Sequence, residues 1–352
     1  MTRALNFPLL LCRVVAVSRN LEFRVMKNRF VSVKMIKLGG LILASVLAPS
    51  IARACACGCG VFDVGTSSML PQGPGGMLFA EYDFQDQKWN WSGDSRAPAA
   101  DNGDKEIKTD FMTLGLQYMF NRKWGAQIEL PYDVRYFRGT GGASGSDIVA
   151  NKWGSFGDMR IEGIYTGFQP DMSAGVTFGL KVPTGNFTRN DSYGDLDRDS
   201  ELGTGSTDLL LGGFYRHTLN SVTHGLYWFA QLQLDVPVLI QDQYRPGIEL
   251  DTAVGLYYQH WSIGRVRITP VAQVIPSERT RDTGAYAAGG IDDPPVGEVD
   301  SGYQRVLLSP GVEVDIHPFT IYADVEFPVF EHTTGNQLVA PEMFKVIVSY
   351  MF

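Results

Sequence analysis

Charge is scarce in this chain. Asp, Glu, Lys and Arg make up 19% of its 352 residues, below the roughly 25% of an ordinary soluble domain. Long apolar runs are scarce too. Mean hydropathy is −0.06, whereas a helical membrane protein needs about 20 apolar residues for every span. A protein built of many membrane helices is therefore excluded. A basic excess is also missing: 38 acidic against 30 basic residues leave a formal charge of −8. That balance argues against nucleic acid as a partner. Cysteine is limited to four residues and histidine to five. His217, His224, His260, His317 and His332 fall mostly at predicted strand ends or turns, and no nucleophile-elbow or metalloprotease pattern occurs. No catalytic set is expected, and an enzyme is not the expected class.

Glycine and aromatics are plentiful instead, with 39 glycines and 12% aromatic residues. A membrane barrel hides its hydrophobicity by alternation, so its average composition looks bland. The last ten residues show this most clearly. Phe344, Val346, Val348, Tyr350 and Phe352 are apolar at every second position, with Lys345 and Ser349 on the other face. A strand this apolar on one side needs an apolar solvent there. It ends the chain in an aromatic residue, as the closing strand of a bacterial outer-membrane barrel does.

Alternation and turn signals predict twelve strands, at about 76–87, 108–120, 123–138, 157–168, 172–182, 205–217, 223–236, 249–260, 263–276, 304–316, 318–329 and 343–352. Connections after the even-numbered strands are short. Those after the odd-numbered strands are longer, at 88–107, 139–156, 183–204, 237–248, 277–303 and 330–342. Short turns at one end and long loops at the other are the pattern of a transmembrane barrel. Trp89, Trp91, Trp124, Tyr136, Phe137, Trp153, Tyr257, Tyr258 and Trp261 gather near strand ends, where an interfacial girdle is expected. The fold class predicted is all-β: an antiparallel up-and-down transmembrane β-barrel of about twelve strands, preceded by a signal peptide.

The signal peptide is read from Lys34 and Lys37, the apolar run 38–47, and Ala52-Arg53-Ala54. The targeting region is 1–54, with Met26 or Met35 as the expected true start. A Cys/Gly-rich segment, 55–75, is expected in the periplasm, and 76–352 forms the barrel. The expected location is the outer membrane of a Gram-negative cell, with both termini periplasmic. Expected partners are outer-membrane lipid and lipopolysaccharide, the barrel-assembly machinery and small-molecule solutes.

Three Gly-centred pieces occur in order: Phe156-Gly157-Asp158, then Lys181-Val182-Pro183-Thr184-Gly185, then Leu202-Gly203-Thr204-Gly205-Ser206-Thr207-Asp208. This order resembles the outer-membrane transporter family named for the phenol-degradation meta-pathway, whose members are distantly likened to FadL-type barrels. The resemblance covers about 157–208. It implies a barrel transporter of small organic, aromatic compounds. Read as residues alone, Pro183-Thr184-Gly185 ends a strand, and the three pieces shape the third long loop.

Charges on the polar faces of the strands belong in the lumen, because Arg or Lys costs roughly 2–4 kcal/mol on the lipid face at midplane. The acids so assigned are Glu129, Asp133, Glu162, Asp208, Asp235, Asp251, Glu313, Asp315, Asp324 and Glu326. The bases are Arg135, Arg160, Lys181, Arg216, Arg267 and Lys345. This mildly acidic lining predicts a channel that favours cations, passive or gated. It departs from an apolar FadL-type conduit. The alternative is a non-conducting scaffold, or a metal-handling protein, with its lumen charges paired.

Cys55, Cys57 and Cys59 stand in a C-x-C-x-C run. Three readings stay open: one disulfide with a free thiol, lipidation of Cys55, or thiolates around a soft metal such as Cu(I) or Zn. No cofactor is required by anything else in the chain. Residues 195–201 alternate carboxylates, but Ser200 stands where a calcium loop needs glycine. A solvated acidic loop is expected there.

Overall fold

The computed structural model describes residues 70–141, 147–191, 194–195, 198–284 and 300–352. The expected signal peptide, the three cysteines Cys55, Cys57 and Cys59, and Leu196 and Asp197 of the acidic run lie outside the described residues.

Alternation along the chain becomes twelve long antiparallel strands. They are β1 (Gly75–Gln87), β2 (Asp104–Met119), β3 (Trp124–Gly141), β4 (Met159–Tyr165), β5 (Ala174–Val182), β6 (Ser206–Thr218), β7 (Leu226–Ile240), β8 (Glu249–Tyr258), β9 (Val266–Arg279), β10 (Tyr303–Ile316), β11 (Phe319–Val339) and β12 (Met343–Met351). Each pairs with the next. β12 pairs back onto β1, from Met77↔Met351 to Gln85↔Met343. The sheet is thus a closed twelve-stranded barrel with no long free edge in its wall, and closure satisfies the backbone where no water is present. At the seam, the Gly76 N–H donates to the Phe352 carbonyl at 2.8 Å, and the Phe352 N–H donates back at 2.9 Å.

Burial follows the alternation. In β12 every second residue is buried, and those between are exposed. Leu78, Leu114, Ile128, Phe178, Leu256, Phe344 and Val348 lie exposed on the outer wall. Around the short-turn end, aromatic rings meet in a girdle: Tyr118 with Phe120, Trp124 with Tyr165, Tyr258 with Trp261, and Tyr350 with Phe352.

Three of the aromatics expected in the girdle lie elsewhere. Tyr257 is buried inside the barrel and stacks on Tyr227 at 4.9 Å. Trp153 is 4% exposed, and Phe137 packs against Ile107 and Leu338. Position near a strand end does not say which face a ring occupies; the phase of the strand does.

The long-loop end is more ordered than expected. Asp147–Phe156, read as loop from sequence, is a strand on the far half of β3, with Tyr132↔Phe156 in register. Trp89–Gly93 adds to the end of β11. β11 runs to Val339, ten residues beyond its expected end at 329, so the last connection is short. A register shift between Val306 and Leu307 lets β10 keep pairing with this extension.

Candidate pore and its constriction

Ionisable side chains form a belt across neighbouring strands inside the barrel. Glu129 on β3 lies opposite Arg160 on β4, and Arg160 opposite Lys181 on β5. Lys181 faces Asp208 on β6. Its Nζ lies 2.5 Å from Asp208 Oδ2 and 2.8 Å from Asp235 Oδ2 on β7. Asp235 pairs with Glu249 on β8, and Asp251 with Ser277 on β9. Across the closing seam, Lys345 on β12 stands between Asp83 and Asp324. Its Nζ is 3.4 Å from Glu81 and 3.5 Å from Asp83. Asp324 Oδ2 accepts from Ser309 Oγ at 2.5 Å and the Tyr322 hydroxyl at 2.8 Å.

Of the residues singled out from sequence, Glu129, Asp133, Arg135, Glu162, Asp208, Asp235, Glu313, Asp324, Glu326 and Lys345 are buried. Arg160, Lys181 and Asp251 are half-buried. Arg267 stands apart. It is exposed at the short-turn rim, where it pairs with Asp315. Glu81, Asp83, Glu249, Arg279 and Arg305 share the interior but were missed. Each sits in phase with a buried neighbour two residues away, so strict counting along its strand would have found it.

The Gly-centred pieces meet at one carboxylate. Asp158 Oδ1 accepts the Gly185 N–H at 2.9 Å. Asp158 Oδ2 accepts the Thr204 N–H at 2.8 Å and the Thr204 hydroxyl at 2.6 Å. The Thr184 hydroxyl donates to the Gly157 carbonyl at 2.9 Å. A Cβ on Gly203 would lie 2.5–2.8 Å from the Gly185 backbone, so this close approach needs glycine. The three pieces therefore form a clasp that folds the third long loop, 183–205, against the inner wall.

Two arginines complete the clasp. Arg135 Nη1 donates to the carbonyls of Ser200 at 2.7 Å and Glu201 at 3.3 Å. The Arg198 guanidinium lies over the Phe187 and Tyr244 rings, at 4.5 and 4.9 Å from their centroids, and donates to the Thr204 carbonyl at 2.8 Å. Glu201 accepts the Arg189 N–H at 2.6 Å. Burial pushes its carboxyl up to about 7, against the opposing pull of the Arg189 N–H and of Arg189, Arg198 and Arg135.

Apolar side chains share the interior with these charges. Phe79, Phe214 and Phe229 face Gly115, Gly175 and Gly255 directly across the ladder. A Cβ on any of these glycines would lie within 2.5 Å of the facing ring. Missing Cβ atoms thus let the rings lie along the wall. Leu70 joins this cluster at 7% exposure, and Arg216 Nη2 donates to the Pro71 carbonyl at 3.3 Å. The stretch just ahead of β1 is therefore seated inside the barrel.

Space remains between these layers. A cavity of about 150 Å³ lies under the folded loop, lined by Arg135, Asp158, Lys181, Glu201, Asp235 and Asp251 among others. A second, of about 80 Å³, lies deeper, bounded by Glu81, Glu129, Glu162, Phe214 and Leu70. A third, of about 420 Å³, opens at the short-turn mouth between Leu70, Arg267, Glu313 and Phe352. Among the described residues, no group of three or more His, Cys, Asp or Glu side chains is placed to hold a metal ion.

Closed wall, apolar exterior and charged interior define an outer-membrane-type β-barrel. No family model matches the chain, and no curated protein matches it. Solved structures do. The COG4313 outer membrane channel of Pseudomonas putida F1 is 11% identical, with a TM-score of 0.58 over 83% of this chain and 100% of that one. A FadL homologue of Pseudomonas aeruginosa is 10% identical, with a TM-score of 0.37 over 78% of this chain and 90% of that one. The β domain of the Bordetella autotransporter BrkA is 12% identical, with a TM-score of 0.46 over 79% of this chain and 100% of that one. Only the first is close enough to argue from, and what it shows is the fold.

Proposed function

We propose that the protein is an outer-membrane channel for small solutes, narrowed from both ends. The observation that carries this reading is the contrast between walls: an apolar exterior and a charged interior that keeps cavities between its layers. A barrel built only to fill itself with side chains has no need of that space. The fold is shared with a protein described as an outer membrane channel. The short-turn end faces the periplasm in this reading. The clasped loop narrows the path from outside, and Leu70 with Pro71 narrows it from the periplasm. Small organic solutes, aromatic ones included, fit a lumen that carries both charges and phenyl rings.

The test is single-channel recording from the refolded protein in a planar bilayer under a salt gradient. Discrete steps with cation preference are expected. Silence from protein that shows a heat-modifiable gel shift, and so is folded, would leave the non-conducting scaffold as the better reading.

A further inference from the structure

The outer wall carries a charged patch at its long-loop end, on β1 to β3 and the strand Asp147–Phe156. One rung there runs Asp86↔Lys108↔Tyr136↔Lys152. Just above it Glu106 stands opposite Arg138, and Lys88 follows the end of β1. Lys108 Nζ lies 3.0 Å and Arg138 Nε 3.4 Å from the Glu106 carboxylate, so one acid serves two bases. Lys88 pairs with Asp86 at 2.7 Å. Lys152 is exposed and has no acidic partner among the described residues. The Lys88, Lys108 and Arg138 side chains are 42%, 41% and 45% exposed, against 17% for Asp86 and Glu106. The bases thus face outward, and the acids lie beneath them.

An aromatic rung lies nearer the lipid: Tyr82↔Met112↔Tyr132↔Phe156. All four are exposed on the outer wall, and the Tyr132 and Phe156 rings meet edge-on at 5.3 Å. Between the two rungs, Asp110 accepts the Tyr82 hydroxyl at 2.7 Å. From Trp124 in the short-turn girdle, β3 climbs about 20 Å to Tyr132 and about 30 Å to Tyr136, at about 3.3 Å per residue and about 40° of tilt. The lipid-facing band of such a barrel is about 25 Å tall. The aromatic rung therefore lies near the top of that band, and the basic rung just beyond it, at the height of lipid headgroups.

We infer that this patch is a docking surface for a phosphorylated glycolipid of the outer leaflet. The inference rests on the orientation given above, with the short turns in the periplasm. The lipid's phosphates meet Lys108, Arg138 and Lys152, and its acyl chains lie along Tyr82, Met112 and Tyr132. A phosphate monoester carries up to two negative charges, which suits a surface where bases outnumber the acids beneath them. The Arg138 guanidinium offers paired donors to one phosphate, and the lysines act as point charges beside it. A lipid without phosphate keeps the apolar contact and loses the charged one.

The experiment is native mass spectrometry of the refolded protein, titrated in detergent with lipid A carrying both phosphates, with lipid A stripped of both, and with phosphatidylglycerol. The phosphorylated lipid A is expected to bind at least about tenfold more tightly than either of the others. Lys108→Gln, Arg138→Gln and Lys152→Gln together should weaken it at least about tenfold. Arg122→Gln, Lys123→Gln and Arg265→Gln together, exposed at the short-turn rim, should leave it unchanged. Equal binding of the two lipid A forms, or equal affinity in the two triple variants, overturns the inference. Phosphatidylglycerol bound as tightly as lipid A overturns the glycolipid as occupant. Should the first triple variant lose its heat-modifiable shift, Arg138→Gln and Lys152→Gln are titrated singly, and unchanged affinity in both overturns the inference equally. Orientation is read separately, by labelling Thr140→Cys in whole Gram-negative cells with a membrane-impermeant maleimide. Protection from the label overturns the orientation and the docking surface with it. Labelling without phosphate-dependent binding overturns the docking surface and leaves the orientation. A silent barrel that binds lipid A overturns the channel alone.

Discussion

At the scale of single residues, Asp158 and Glu201 decide where the third long loop lies. Asp158 accepts three hydrogen bonds from it, and bonds to a charged acceptor are worth about 1.5–3 kcal/mol each. Asp158→Ala should free the loop. The expected results are larger and noisier conductance steps and trypsin cleavage at Arg189 or Arg198. Unchanged steps and full resistance to trypsin would show that the loop is held by other contacts. Glu201 makes the docking depend on pH. Docked, its carboxyl is pushed up to about 7; released into water, it returns to the ordinary 4.5. The docked form binds the proton more tightly, so docking is strongest below about pH 4.5 and weakens as pH rises through about 7. Conductance should therefore be lower at about pH 4.5 than at about pH 8, and Glu201→Gln should flatten that part of the profile. A profile identical in the variant would place the pH response elsewhere.

At the scale of elements, each strand has two faces with different solvents. Val348 faces outward in β12, 43% exposed, and Ser349 inward, 4% exposed. Val348→Arg should cost roughly 2–4 kcal/mol in folding into lipid vesicles if it lies near midplane, while Ser349→Thr should cost far less. Equal costs, read from urea titrations, would contradict the assigned faces. The facing pairs of phenylalanine and glycine make a second element-scale prediction. Gly115→Val puts carbon where the Phe79 ring lies, since even a Cβ would be 1.9 Å from its Cζ. The ring must swing toward the axis, and conductance should fall in the folded variant. No change in conductance would mean that the ring does not border the path.

At the scale of the whole molecule, the interior charges act together. Cation preference, read as a reversal potential, should weaken as salt is raised from about 0.1 to 1 M, because the screening length falls from about 10 to 3 Å. A preference unchanged by salt would point to a local site rather than to the summed field of the wall.

The sequence by itself determined the barrel. Twelve alternating segments, short turns at one end and the apolar face of residues 344–352 were all legible, because period two reads directly as face and each face meets one solvent. It also marked Glu129, Asp133, Arg135, Lys181, Asp208, Asp235, Asp324 and Lys345 as inward, since their phase opposes the apolar one. What only the tertiary structure decided is who meets whom across the lumen. Asp158, Gly185 and Thr204 are close because β4, β5 and β6 are adjacent, a contact with no local signature. The inward phenylalanines Phe79, Phe214 and Phe229 find room because Gly115, Gly175 and Gly255 of the neighbouring strands face them in register. Leu70 and Pro71 belong to the segment 55–75 that the sequence assigns to the periplasm, and only the closed wall around them makes a seat inside the barrel. Alternation records the solvent on each side of one strand, whereas a pore is made where twelve strands converge.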